Sequence, residues 1–140
     1  LKPTFKKYVN SVVENAKVLA NSLSDSGYRL CTGGTENHLM LVDLRTKNKE
    51  LTGSDAEIWL EKSGIIVNKN GIPGDPRPPM VTSGLRLGTP AVTTRGFLRN
   101  EMLLVAEMID EVLDSRGDSV VIDRVRQRVI DLTNKFKLPH

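Results

Sequence analysis

The chain has 140 residues, 39% of them apolar and 26% charged, with a formal net charge of +3. That length suits one domain with a real hydrophobic core. The dispersed charges and 4% aromatics argue against a basic, base-stacking nucleic-acid surface. No stretch approaches the ~20 apolar residues that cross a bilayer, and no basic-then-apolar leader is visible. A first residue of Leu1 is expected of a processed chain or of a piece of a longer one.

In chain order, Pro3 suits a first helical turn. Tyr8, Val12, Ala16, Leu19 and Leu23 then recur at spacings of three and four and share one face, and Gly27 is placed to end that helix. Tyr28 to Cys31 is strand-like, and Thr32 to Thr35 is a turn by composition. Leu39 to Leu44 is a largely apolar strand, expected to be buried on both faces. A second helix is expected from about Asp55 to Ser63, opened by a Ser54/Glu57 capping box and closed by Gly64. Ile65 to Val67 is β-branched and reads as a strand.

Asn68 to Pro79 holds four of the seven prolines and leaves little room for regular structure. Composition supports a mobile surface loop and a rigid functional loop equally, because proline lowers the entropy lost on ordering. In the free chain this loop is expected to be poorly ordered or shaped by neighbours, with Asn70 and Met80 exposed. Ser83 to Gly88 reads as a strand in which Arg86 faces away from Leu85 and Leu87. Met102, Val105, Ala106, Ile109, Val112 and Leu113 mark a third helix. Val121, Val125, Val129, Leu132 and Phe136 mark a fourth.

The order of helix, two strands, helix, two strands and two helices implies an α+β fold. A two-layer α/β sandwich is the economical form, with four helices packed on one small sheet. Leu39, Leu41, Val42, Ile58, Ile66, Val105, Ile109 and Val129 are expected in its core. One cysteine, Cys31, and two histidines, His38 and His140, cannot assemble a zinc site, so no metal is expected. Cys31 reads as a small core residue in a reducing compartment, and His38 as a structural hydrogen-bonding residue.

Three segments go beyond pattern: KPTFKKYVNSVVENAKVLA at the start, TGGTENHLMLVDLR from Thr32 to Arg45, and VNKNGIPGDPRPPMVTSGLRLGTPAVTTRGF from Val67 to Phe97. Together they resemble serine hydroxymethyltransferase, in family order, from about residue 1 to 115. The resemblance implies the small C-terminal domain of the type I pyridoxal-phosphate-dependent transferase fold. It makes residues 1–140 a single domain of a longer enzyme whose large domain, with the cofactor lysine, is absent. The family's lysine motif, a run of threonines with His and Lys, has no counterpart here, and Lys69 is not that lysine.

The family interconverts serine plus tetrahydrofolate with glycine plus 5,10-methylenetetrahydrofolate, using pyridoxal phosphate as electron sink. By resemblance, Arg86 binds the amino-acid carboxylate, a task suited to a planar two-point guanidinium. Asn70 contacts the pterin of the folate. Pro78, Pro79 and Met80 line the folate site, with Pro and Met at the outer positions where many relatives have Ser and Phe. A backbone contact would survive that change and a side-chain contact would not. Asn37 and His38 are taken as structural, and Thr32 to Thr35 is not taken as a phosphate cradle. The fragment is expected to hold no catalytic residue and to be inactive alone. The intact enzyme is expected to be a cytoplasmic homodimer or tetramer with no nucleic-acid or membrane partner. Two alternatives are another type I pyridoxal-phosphate enzyme, opposed by the Asn68 to Phe97 stretch, and a non-catalytic stand-alone binding module.

Overall fold

The computed structural model describes residues 3–31, 39–88, 97 and 99–135. Helix α1 spans Pro3–Asp25 and ends as its glycine predicts, with Gly27 at φ 105°. Strands β1 (Arg29–Leu30) and β2 (Leu39–Asp43) follow, then α2 (Gly53–Lys62). Next come β3 (Asn68–Asn70) and β4 (Gly84–Gly88), then α3 (Arg99–Asp114) and α4 (Ser119–Lys135). The strands form one antiparallel sheet in the order β1-β2-β4-β3.

The α+β sandwich is borne out. Met40 and Val42 on β2 face Leu87 and Leu85 on β4 in register, and all four side chains are buried. They meet Leu19 and Leu23 of α1, Ala56 and Leu60 of α2, and Met102, Ala106 and Ile109 of α3. Helices α1 and α2 lie against the sheet and α3 packs on both of them. Helix α4 rests mainly on α2 and α3 instead of on the sheet, which corrects the expectation that all four helices share it. Its buried residues, Ile122 and Val125, close the far side of the helical layer.

The core list needs correction at several positions. Val42 and Ile109 are buried, but Leu41, Val105 and Val129 are half-buried, and Leu39 lies outside the residues whose side chains are described. Ile58 is 46% exposed and Ile66 77% exposed. Helix α2 turns Ala56 and Leu60 inward, and Ile58 stands off that face. Ile65 to Val67 is not a strand; the pairing begins at Asn68 opposite Arg86. Strand β3 is a sheet edge, so backbone hydrogen bonding selects it and an apolar side-chain run is not required. Cys31 is half-buried at the end of β1 and not in the core. Asn37, His38 and the Thr32–Thr35 turn lie outside the described residues.

The start of α2 also differs from its sequence reading. Thr52, not Ser54, is the N-cap, and its hydroxyl accepts from the Asp55 N–H at 3.1 Å. The Gly53 and Ser54 N–H groups donate to the carbonyls of Thr82 and Val81 at 3.0 and 2.9 Å. Glu57 is freed from a capping role, and its carboxylate accepts the Lys69 N–H at 2.8 Å, tying β3 to the helix.

Candidate functional site

Alternation along the central strands sorts the sheet into two faces. Leu85 and Leu87 turn toward the helices, and Arg86 stands exposed on the opposite face as its spacing predicts. Across the ladder Arg86 is flanked by Leu41 of β2 and Asn68 of β3. The neighbouring row on that face runs Asn70, Gly84, Asp43, Arg29. Gly84 leaves a dip in that row. A Cβ there would meet the Asn70 carbonyl oxygen at 2.7 Å and Ile72 Cγ2 at 2.8 Å, so the chains approach as only glycine allows.

The arginines near this face have different commitments. Arg45 grips the buried Asp43 carboxylate with two side-chain bonds, Nε at 3.1 Å and Nη2 at 3.0 Å, and adds its own N–H at 3.0 Å. Burial alone would raise the Asp43 carboxyl. The bonds and charge of Arg45, with Arg29 nearby, outweigh it and hold the group below its ordinary range. Arg77 donates from Nη1 and Nη2 to the carbonyls of Leu51 and Lys49, both at 2.6 Å. The Arg86 side chain makes no hydrogen bond and no ion pair with any described residue. Its guanidinium is carried by a strand with paired neighbours on both sides, and no described residue occupies its donors.

Asn70 lies on the same sheet face as Arg86, two residues along β3 from Arg86's partner Asn68. It is half-buried, and its Nδ2 donates to the Gly71 carbonyl at 2.8 Å. Pro78, Pro79 and Met80 form the turn leading to β4 and are exposed, Met80 at 76%. The Pro78 carbonyl already accepts from Val81 and Thr82 at 2.9 and 3.0 Å. Both of its lone pairs are engaged, so a backbone contact expected from this stretch falls to Pro79 or Met80.

The residues that hold this loop were not singled out from the sequence. Asp75 accepts from the N–H groups of Ile72, Arg77 and Ser83 and from the Ser83 hydroxyl. The loop therefore carries its own anchors, where a loop poorly ordered or shaped by neighbours was expected. An aspartate before proline and after glycine is a turn signal of the kind that side-chain-to-backbone bonds exploit, and Gly74-Asp75-Pro76 presents it. Desolvation tends to raise the Asp75 carboxyl, but the donors from Arg77, Ser83 and Ile72 lower it to about 2, from an ordinary 3.8. A carboxyl depressed in the folded state stabilises fully above its unfolded value, and that stabilisation is lost as pH falls toward and through the folded one. Wild type is therefore expected to be more stable than Asp75→Asn at pH 6, with the gap narrowing between about pH 4 and 2. Urea titrations at both ends of that window check this; a gap independent of pH contradicts it.

Among the described residues no group of His, Cys, Asp and Glu could hold a metal ion, and no helix is long and apolar enough to cross a membrane. Comparison with known proteins adds the context. The sequence model of the family described as serine hydroxymethyltransferase matches residues 1–109. The chain belongs to the serine hydroxymethyltransferase family. It is 54% identical to a serine hydroxymethyltransferase of Zymomonas mobilis subsp. mobilis over 144 aligned residues, covering 99% of this chain and 33% of that protein. The chain thus spans about a third of the length of that curated relative. Helix α4 extends beyond the family match, yet the pairwise likeness covers it.

Proposed function

We propose that this chain is the C-terminal small domain of a pyridoxal-phosphate-dependent serine hydroxymethyltransferase. In the intact enzyme it adds substrate-binding groups to a larger domain that carries the cofactor lysine. The observation that carries this reading is the exposed Arg86 guanidinium, without a partner among the described residues, on the sheet face it shares with Asn70. Two lysines are committed elsewhere and do not offer themselves as the seat of the cofactor. Lys69, beside Asn70, turns toward α2, where its Nζ lies 3.9 Å from Glu57. Lys47 is engaged by Asp110 at 3.2 Å.

The work of this domain is then orientation. Arg86 would bind the carboxylate of serine or glycine through two parallel N–H···O bonds, fixing where the carboxylate lies and so the rotation about the Cα–N bond. That rotation selects which bond at Cα is aligned to break. A lysine in its place would act as a point charge and leave the rotation free. The Asn70 amide would both accept from and donate to the edge of the pterin of tetrahydrofolate, with Pro79 and Met80 forming an apolar wall beside it. The parent is read as a cytoplasmic homodimer or tetramer on family grounds.

The test compares the full-length parent with the isolated chain. With serine, tetrahydrofolate and pyridoxal phosphate, the parent is expected to form glycine. The isolated chain is expected neither to do so nor to give a stoichiometric borohydride-trappable absorbance band. Turnover by the isolated chain, or a stoichiometric adduct at one of its lysines, would contradict this division of labour.

A further inference from the structure

We propose that Asp75 is a positioning residue that sets the folate-side loop against the strand carrying Arg86. The proposal rests on the reading of Asn70, Pro78, Pro79 and Met80 as folate contacts. One carboxylate joins three points of the chain. Its Oδ1 accepts from the Arg77 N–H at 3.0 Å and the Ser83 hydroxyl at 2.8 Å. Its Oδ2 accepts from the Ile72 N–H at 3.2 Å and the Ser83 N–H at 2.8 Å. Ile72 follows Asn70 closely, Arg77 directly precedes Pro78, and Ser83 directly precedes β4. Asp75 thus ties both folate segments to the start of the Arg86 strand.

The neighbouring geometry shows why such a tie matters. Thr82, between Met80 and β4, has φ 59°, a left-handed conformation that a β-branched residue adopts only when its surroundings hold it there. Ile72 is 6% exposed and pins the near side of the loop. The Arg77 side chain clamps the far side to the carbonyls of Lys49 and Leu51. Arg86 itself does not depend on this arrangement, because β4 is held by ladders to β2 and β3 on either side. Loss of Asp75 should therefore separate the two substrates: the Pro78 to Met80 turn of the folate side loosens, while Arg86, like Asn70, stays in the ladder.

The experiment uses the full-length holoenzyme. Asp75→Ala is expected to raise KM for tetrahydrofolate tenfold or more. Serine binding, followed by the cofactor spectrum without folate, should change less than threefold. Ser83→Ala removes one of the four donors and keeps its backbone N–H, so a rise of about threefold in KM for tetrahydrofolate is expected. If Asp75→Ala loses bound cofactor or fails to fold, Asp75→Asn and Ser83→Ala decide the matter by the same ratio. Equal weakening of serine and tetrahydrofolate, or no change in either, overturns the proposal. Asn70→Ala is the control for the underlying reading. If it leaves tetrahydrofolate binding intact while Asp75→Ala impairs it, the assignment of Asn70 fails and the positioning role of Asp75 stands.

Discussion

Arg86→Lys in the full-length enzyme is expected to weaken serine and glycine binding about tenfold to a hundredfold. The change keeps the charge and loses one arm of the two-point contact. A hydrogen bond to a charged group contributes about 1.5–3 kcal/mol, and about 1.4 kcal/mol is tenfold in affinity. Arg86→Ala should be worse, because removing one partner of a desolvated charge pair costs roughly 2–5 kcal/mol. Neither change should unsettle the fold. Arg86 is exposed and has no partner among the described residues, so its removal opens no cavity and strands no buried group. Cofactor content and melting temperature should therefore match wild type while the amino-acid titration moves. An arginine of purely structural importance would shift all three together. Unchanged glycine affinity in Arg86→Ala would refute the role assigned to it.

Gly53→Ala is expected to be the most damaging single-methyl change to stability. Gly53 opens α2 directly beneath the end of the proline loop. A Cβ there would sit 2.1 Å from Thr82 Oγ1 and 2.5 Å from the Gly84 carbonyl oxygen. The hydroxyl could rotate away, but the carbonyl belongs to the central strand and cannot yield without disturbing β4. Overpacking of this kind costs about 1–3 kcal/mol, against a helix-propensity gain of up to ~1 kcal/mol for alanine over glycine. A net loss of about 1–2 kcal/mol corresponds to roughly 2–8 °C in Tm for a chain near this size. Thermal melts followed by circular dichroism measure it. A Gly53→Ala variant melting at or above wild type would mean that the helix does not approach the strand so closely.

The helices were legible because burial imposes a 3.6-residue rhythm that single residues carry plainly. Leu19 and Leu23, Ala106 and Ile109, and Val125 all lie where packing requires apolar groups, although the fourth helix buries Ile122 where Val121 was expected. Both central strands were legible from their apolar runs, and so was the outward direction of Arg86, but β2 is not buried on both faces as expected, since Leu41 is only half-buried. The edge strand was misread because Asn68, Lys69 and Asn70 are chosen for the groups they present, not for burial. Lys69 reaches toward Glu57, and the two asparagines lie on the open face. Ile66, whose β-branched character suggested a strand, is exposed. Asp43 interrupts the apolar run of β2 and is buried only because Arg45, two residues on, satisfies it.

The candidate site divides similarly. Arg86, Asn70 and the Pro78 to Met80 turn were found through their likeness to a family, and spacing alone distinguished only Arg86. Asp75 was overlooked because its partners are mostly backbone N–H groups, and the Gly74-Asp75-Pro76 turn signal marks a turn without saying which amides the carboxylate will bind. The capping role given to Ser54 failed for a related reason. The first amides of α2 are satisfied by carbonyls from residues far along the chain, Val81 and Thr82. Local spacing cannot register a cap supplied by tertiary structure.

In the proposed role this domain contributes its Arg86 to the amino-acid carboxylate in a site completed by the larger domain. A crystal structure of the full-length enzyme with glycine bound would show it. Both carboxylate oxygens of glycine are expected within about 2.7–2.9 Å of the Arg86 guanidinium in a parallel two-point contact. A carboxylate held by another residue, with Arg86 left in solvent, would contradict it.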